Sequence, residues 1–226
     1  MVICVSASPA IADDLGDRAD FRPDRATLRV ATELGEDSQS LALDAYYDLN
    51  ARFRLGLTTS SAARYELGAI RGLCLHSCAT DFAGLAAETE IRASDHVVGR
   101  AAIDSSRFAP TAAALELGFA AHYEFDRWDL VVAPVLRIGI ARRDLANGDV
   151  LSAFGRIAAC VWSHAGVLAE TRSSVDIDAL RTTPTLGAAG GVYVDLGAIT
   201  VTAVFGSSDV AHSRSLFGEL ALGWSS

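Results

Sequence analysis

The chain has 226 residues, of which 50% are apolar and 21% charged, and this is the composition of a folded protein rather than a disordered one. Its 19 basic residues are all arginine, and 28 acidic residues give a net charge of -9, which argues against a nucleic-acid partner. No stretch reaches 18 uncharged apolar residues, so the sequence excludes a helical membrane span.

The first residues have features of an export signal. Residues 1–12 end in Ala10-Ile11-Ala12, which fits the small-x-small pattern of a cleavage site, and two aspartates follow directly. The apolar stretch is short and lacks a positively charged start, so we interpret 1–12 as a truncated signal peptide. A frayed apolar N-terminus is the alternative. Residues 13–24 are predicted to form a polar leader, and residues 25–226 the folded domain.

Beyond residue 25 the dominant period of the sequence is two, which is the period of a pleated strand. Odd positions from 41 to 57 are apolar, whereas the even positions between them include Asp44 and Arg54. The same alternation recurs over 113–123 and 128–140. The pattern predicts twelve strands, at approximately 25–35, 40–47, 52–59, 62–75, 82–94, 111–124, 128–142, 149–162, 166–175, 183–194, 198–206 and 214–224.

The connections between these strands are predicted to be mostly short. Tight polar turns flanked by aromatic residues occur at 47–53, 123–128 and 193–199. Four predicted strands separate each turn from the next, so all three turns and both ends of the domain are expected at the same end of the sheet. Only 95–110, interpreted as a loop, and 207–213 offer connections of any length.

Charges segregate to one face of the predicted strands. The opposite face carries no charge that must lie in the middle of a strand. In a soluble sandwich or barrel the apolar face would point inward, whereas in a membrane barrel it would meet lipid and the charges would line the lumen. The charged face comprises Arg29, Glu33, Asp44, Arg52, Arg54, Arg64, Glu66, Glu88, Glu90, Arg92, Glu116, Glu124, Asp129, Arg137, Arg156, Glu170, Arg172 and Glu219.

Three features favour the membrane architecture. The strands are often 9–13 residues long, which suits a tilted crossing of the hydrocarbon layer. Many apolar-face positions are Ala, Thr or Gly, which would fill a soluble core poorly. Aromatic residues cluster near strand ends, as an interfacial girdle requires: Tyr46, Tyr47, Phe53, Tyr123, Phe125, Trp128, Trp162 and Trp224. We therefore predict an all-β fold, a single transmembrane antiparallel up-and-down barrel of about twelve strands with short turns.

The final predicted strand, Leu216 to Trp224, alternates apolar residues around an internal glycine and ends in an aromatic residue. With the preceding pattern, it resembles the outer-membrane β-barrel proteins of Gram-negative bacteria. The resemblance implies export through the periplasm, insertion into the outer membrane by the barrel assembly machinery, and contact with outer-membrane lipid. Ser225 and Ser226 follow the aromatic residue and depart from this C-terminal pattern. The resemblance identifies no subfamily and no substrate.

Two interpretations of the charged face remain open. The charges satisfy one another in a wet interior, or they form a path for small solutes in which Arg52, Arg54 and Arg64 attract anions. The first functional hypothesis is therefore a narrow passive porin-like channel or a structural barrel. The predicted lumen or solute-path residues are Arg52, Arg54, Arg64, Glu66, Glu88, Arg92, Glu116, Arg137 and Arg156.

Two alternatives belong to other classes. An outer-membrane lipid-modifying enzyme is the second hypothesis, but His96 and His122 lie in no catalytic signature, and we assign no catalytic residue and no cofactor. A soluble secreted β-barrel that binds an apolar ligand is the third.

Four cysteines are compatible with export. Cys74 and Cys78 are close enough in sequence to form a disulfide in an oxidising compartment, with Cys4 in the signal and Cys160 left unpaired. The Cys74-x-His76-x-Cys78 fragment lacks a second pair of ligands nearby, so no metal site is predicted.

Overall fold

The computed structural model describes residues 21–35, 38–64, 79–106, 113–140, 149–177, 184–210 and 213–226. Each strand pairs antiparallel with its neighbours in the chain, and β1 pairs with β12, so the sheet closes into a barrel. The predicted all-β up-and-down barrel is confirmed. Its strands are β1 (Ala26–Gly35), β2 (Ser38–Asp48), β3 (Phe53–Arg64), β4 (Ala79–Arg92), β5 (Val97–Ser106), β6 (Ala113–Phe125), β7 (Trp128–Gly139), β8 (Val150–Trp162), β9 (Ala165–Asp176), β10 (Thr185–Asp195), β11 (Ile199–Val210) and β12 (Ser213–Ser225).

The closing pair of strands uses the two serines that depart from the C-terminal pattern. The register between β1 and β12 runs from Thr27 opposite Ser225 to Gly35 opposite Phe217. The Ser226 N–H donates to the Ala26 carbonyl at 3.1 Å, and the Ala26 N–H donates to Ser226 Oγ at 3.0 Å. The serines therefore extend the β1–β12 pairing to the start of β1.

The predicted number of strands is correct, although two assignments were wrong. Residues 62–64 of the predicted strand 62–75 belong to β3, which ends at Arg64. The rest of that predicted strand lies outside the described residues. The predicted loop 95–110 instead contains β5. The two differences cancel in the count. β5 was hard to recognise because its outward face includes Gly99 and Ala101, which give a weak apolar alternation.

The barrel has two unlike ends. At one end, called the turn end, lie the short connections 49–52, 93–96, 126–127, 163–164 and 196–198, together with the start of β1 and the end of β12. The three tight turns predicted from the sequence all lie there, as expected. At the other end, called the loop end, the connections are 36–37, 65–78, 107–112, 140–149, 177–184 and 211–212. The longest connections are therefore 65–78 and 140–149, not the predicted 95–110 and 207–213.

Apolar side chains point out of the barrel and charged side chains point into it. In β1, Leu28 and Val30 are 40% and 36% exposed, whereas Arg29 between them is 7% exposed. The same alternation places Leu55 outward beside buried Arg54 in β3. An apolar exterior around a charged interior excludes the soluble-barrel alternative, which requires the opposite facing. Among the described residues, no helix is long and apolar enough to cross a membrane.

The aromatic girdle is present at the turn end. Its side chains point outward and are exposed; they are Tyr47, Phe53, Tyr123, Phe125, Trp128, Trp162 and Trp224. Tyr46 was assigned to this girdle wrongly. It shares the inward face of β2 with Asp44 and Asp48, because neighbouring residues of a strand point to opposite faces.

Two inward-facing tyrosines lie over glycines of neighbouring strands. A Cβ atom on Gly166 of β9 would lie 2.5 Å from the ring of Tyr193, and one on Gly56 of β3 would lie 2.8 Å from the ring of Tyr46. Each glycine opposes its tyrosine in the strand register. The rings therefore fill the space that the absent side chains leave inside the wall.

We expect Gly166→Ala to destabilise the barrel by about 1–3 kcal/mol, because the new methyl group overlaps both the Ala159 carbonyl oxygen and the ring of Tyr193. The loss would appear as a lower midpoint for the heat-induced shift in gel mobility. Gly190→Ala in β10 is the matched control, since its Cβ would meet nothing nearer than the Leu168 carbonyl oxygen at 3.9 Å. Equal midpoints for the two variants would contradict the close packing of Ala159 and Tyr193 around Gly166.

Candidate functional site: the charged lumen

Seven inward side chains form one ion-paired group halfway along the barrel, called the mid-barrel cluster. They come from β1, β2, β8, β9 and β12, and are Arg29, Glu33, Asp44, Arg156, Glu170, Arg172 and Glu219. Positive and negative side chains lie on the inward positions of different strands. Each arginine therefore contacts a carboxylate on another strand.

Arg29 and Arg172 link opposite parts of this cluster through Glu219. Arg29 contacts Asp44 at 3.1 Å and Glu219 at 2.9 Å. Arg172 contacts Glu219 at 2.7 Å, Glu33 at 3.4 Å and Glu170 at 3.3 Å. The ion pairs therefore connect β2, β1, β12 and β9 in one chain of contacts.

The side chain of Arg172 extends past two strands that have small inward residues. Arg172 lies on β9, and its partners Glu219 and Glu33 lie on β12 and β1, beyond β10 and β11. The inward positions of those two strands include Gly187, Gly191 and Gly206. Because glycines leave the wall thin there, a long side chain can reach across the lumen instead of lying against the wall.

Two aromatic rings support the same arginines. The guanidinium carbon of Arg172 lies 6.0 Å from the ring centroid of Phe154 and 5.6 Å from that of Phe217. The guanidinium carbon of Arg156 lies 5.2 Å from Phe154. Such contacts stabilise a cation while leaving its N–H groups available to carboxylates.

A second group, called the turn-end cluster, begins beside the short turns at Arg25 and Arg54 and extends to Glu116, three residues from the loop end of β6. It contains three arginines and four carboxylates: Arg25, Arg54, Arg100, Asp48, Glu88, Glu90 and Glu116. Arg54 contacts Asp48 at 2.5 Å and Glu90 at 3.0 Å. Arg100 contacts Glu88 at 2.6 Å and Glu116 at 3.4 Å. The cluster thus joins β2 to β6 across consecutive strands.

Most charged groups of the two clusters are shielded from water, whereas the side chains of Arg172 and Glu33 are 35% and 40% exposed. Asp48 is 1%, Arg54 4% and Glu170 5% exposed. Placing such charges in a low-dielectric region costs several kcal/mol for each ion, and only paired, hydrogen-bonded geometry offsets that cost. These charged residues can therefore be buried in the lumen only because they are paired with one another.

Part of the lumen wall is apolar. Ala158, Leu168, Tyr193 and Val204, from four consecutive strands, pack as a buried cluster with Ala189 against it. These apolar residues lie on β8 to β11, and β8 and β9 also carry Arg156, Glu170 and Arg172 of the mid-barrel cluster on the same inward face.

The structure brings most, but not all, of the predicted lumen residues inside the barrel. Arg54, Glu88, Glu116 and Arg156 belong to the clusters above, and Arg137 of β7 opposes Glu116 in the register. Arg92 contacts Asp95 at 2.6 Å at the turn end. Arg52 lies in the exposed β2–β3 turn. The side chain of Arg64, and all of Glu66, lie outside the described residues.

The sequence interpretation placed neither Arg25 nor Asp48 in the lumen, and it also missed Arg100. Arg100 was assigned to a loop because the outward residues around it are small, although Val98, Arg100 and Ala102 do follow the period of two. In the structure its guanidinium connects β4 to β6 through Glu88 and Glu116. The inward charge was a better signal of this strand than its outward face.

The cysteine assignment needs one correction. Cys160, which was predicted to be unpaired, forms a disulfide bond. The predicted pair Cys74 and Cys78 lies outside the described residues, as does Cys4.

The histidines of the enzyme hypothesis lie near the turn end. His122 Nε2 is 2.5 Å from Asp129 Oδ1, and both residues are on inward positions. His96 Nδ1 is 3.1 Å from the His122 carbonyl oxygen, and its ring stacks on Tyr123. In the part of the chain that the structure describes, no group of three or more His, Cys, Asp or Glu residues could hold a metal ion.

Solved structures with a similar fold are outer-membrane barrels. An outer-membrane channel from Pseudomonas putida F1 is similar with a TM-score of 0.67 and 10% identity, covering 95% of this chain and 100% of that chain. The NanC porin gives 0.61 and 9%, covering 88% and 98%. The KdgM porin, solved in complex with disordered oligogalacturonate, gives 0.59 and 8%, covering 88% and 98%. No protein-family model matches the sequence, and no curated protein matches it.

The fold and its surface define the class of protein. At identities of 8–10% these likenesses show the fold, a closed barrel of the kind found in outer-membrane porins and channels. The exposed apolar exterior with its aromatic girdle is the surface that such a membrane requires. The chain therefore has the fold and the surface of an outer-membrane β-barrel, as its predicted localisation requires.

Proposed function

We propose that this barrel is a narrow passive channel for small solutes across the outer membrane. The observation that carries the proposal is the pair of ion-paired clusters that cross the interior of a barrel with an apolar exterior. Twelve strands lie between the eight of barrels filled by side chains and the sixteen or more of wide aqueous channels. A passage of this size is controlled by the side chains within it, and here those side chains are charged.

The charge balance of the clusters favours cations. Each cluster has four carboxylates and three arginines, so together eight negative groups face six positive ones. Selectivity in a pore follows the sign of the charges that line its constriction. The predicted anion-attracting group of Arg52, Arg54 and Arg64 is less favoured, because Arg54 is held by Asp48 and Glu90.

Recordings in planar bilayers test this proposal. We expect small, discrete conductance steps and a reversal potential in a salt gradient that shows a preference for cations. Arg172→Ala should raise the single-channel conductance about twofold or more, because Arg172 reaches across the lumen between β9 and β12. Thr171→Ala, whose side chain is exposed on the outward face, should leave it unchanged.

The possible results separate the two versions of the first hypothesis. No current under several salts, from a barrel that shows heat-modifiable mobility, would contradict a channel and leave a structural barrel. A preference for anions would contradict the selectivity argument. The lipid-modifying enzyme is tested by incubation with phospholipid or lipid A, using His122→Ala and His96→Ala as comparisons.

Partners and orientation belong to the same proposal. The short connections would lie on the periplasmic side and the longer ones outside the cell, since outer-membrane barrels have short periplasmic turns. The outward apolar residues would contact outer-membrane lipid. The barrel assembly machinery would recognise the alternating apolar residues of β12.

A further inference from the structure

Residues 21–25, directly before β1, turn into the lumen at the turn end of the barrel. The chain enters β1 at Ala26, at the turn end. Phe21, five positions earlier, is only 3% exposed and packs against Val98, which is on an inward position of β5. The guanidinium carbon of Arg54 in β3 lies 4.2 Å from the centre of the Phe21 ring. The ring therefore lies inside the mouth of the barrel, between β3 and β5.

A tight turn directs Phe21 inward. The Arg25 N–H donates to the Arg22 carbonyl at 3.1 Å, which closes a four-residue turn. Pro23 occupies its second position and Asp24, with φ of 63°, its third, which is the pattern of a type II turn. Proline fixes the first of these dihedral angles, and aspartate tolerates the second better than most residues do. The sequence Arg-Pro-Asp-Arg thus sets the reversal locally.

Asp48 anchors this segment to the barrel wall. Its carboxylate accepts hydrogen bonds from the Arg22 N–H at 3.0 Å and from Arg25 Nε at 3.2 Å, and it also pairs with Arg54. The Asp48 carbonyl accepts the Asp24 N–H at 3.0 Å, and Tyr47 donates its hydroxyl proton to Asp24 at 2.9 Å. One buried carboxylate therefore links the segment to β2 and to the arginine beneath the Phe21 ring.

From these contacts we infer that residues 21–25 form a built-in plug, in which Phe21 on Arg54 determines which solutes pass the turn end of the lumen. This inference rests on the proposed channel function. A phenyl ring on a guanidinium group in a charged mouth replaces water with an apolar surface, which hinders hydrated ions. Because Phe21 lies outside every strand, removing its ring takes an apolar group out of the mouth without removing any residue of the barrel wall.

Two measurements on the full chain folded in vesicles test the plug. Hydrogen exchange reports the protection of the Arg22 and Asp24 amides, both of which are bonded to Asp48. We expect protection in the natural sequence and exchange about tenfold faster or more in Phe21→Ala. In the same vesicles, Phe21→Ala should raise single-channel conductance about twofold or more. Phe53→Ala is the matched control, because Phe53 lies at the same end but is exposed on the outward face.

The outcomes distinguish this inference from the channel proposal. Unprotected amides in the natural sequence would show that the segment does not occupy the mouth and would overturn the plug. Protected amides released by Phe21→Ala, with the conductance unchanged, would also overturn it and leave the channel intact. Absence of current from both the natural sequence and Phe21→Ala would overturn the channel itself, whatever the exchange rates. An equal conductance increase in Phe53→Ala would show that the effect does not come from the mouth.

Discussion

Leu117→Arg is expected to abolish assembly of the barrel, whereas the substitution Glu116→Gln beside it is tolerated. Leu117 is 43% exposed on the outward face of β6, four residues inside the strand from the loop end. An arginine facing lipid near the middle of the membrane costs about 2–4 kcal/mol, a large share of the stability of a domain. Heat-modifiable gel mobility of the membrane fraction measures the folded population.

Two further substitutions isolate the cause. Leu117→Ala removes the leucine without adding a charge and is expected to assemble, so it separates lost packing from the charge itself. Glu116 lies on the inward face, where its carboxylate is 3.4 Å from Arg100, and an amide can still accept a hydrogen bond there. If Leu117→Arg folded as well as Glu116→Gln, the outward facing of this strand would be wrong.

The facing of the strands could be predicted because it follows from single residues. An alternation such as Leu28, Arg29 and Val30 allows only one assignment, since a strand with an arginine between two apolar residues must place them on opposite faces. The membrane then decides which face is outside, because lipid excludes the charge more strongly than a wet lumen does. These arguments need no information about neighbouring strands.

What the sequence did not reveal depends on contacts between strands far apart in the chain. Arg172 and Glu33 are 139 residues apart, and they meet only because the barrel closes and the glycines of β10 and β11 leave room. The room for the Tyr46 ring likewise depends on Gly56 opposite, although its inward facing follows from the strand alternation. The plug was interpreted as part of a polar leader because Phe21 is a single apolar residue among charges.

Glu170→Ala is expected to lower the stability of the barrel by about 3–5 kcal/mol, the usual cost of removing one partner of a buried ion pair. The Glu170 side chain is 1% exposed and accepts a hydrogen bond from Arg156 Nε at 2.8 Å. Without it the Arg156 guanidinium, itself 6% exposed, would lose its principal carboxylate in a region with little water. The midpoint of heat-induced unfolding on gels, or of urea unfolding in vesicles, measures the loss.

The double substitution Arg156→Met with Glu170→Leu decides whether the ion pair contributes net stability to the fold or only offsets the cost of burying its own charges. Replacing a buried pair by apolar residues of similar volume is often neutral, because the cost of desolvating both charges disappears together with their attraction. We therefore expect the double variant to recover most of the stability lost in Glu170→Ala, while Arg172 keeps Glu33 and Glu219. A double variant as unstable as Glu170→Ala would instead show that the pair contributes net stability to the wall. The same double variant should also conduct differently from the natural sequence, because two charges of the mid-barrel cluster are gone. Since the barrel of this variant is stable, the change in conductance reports the role of these residues in the channel separately from their role in folding.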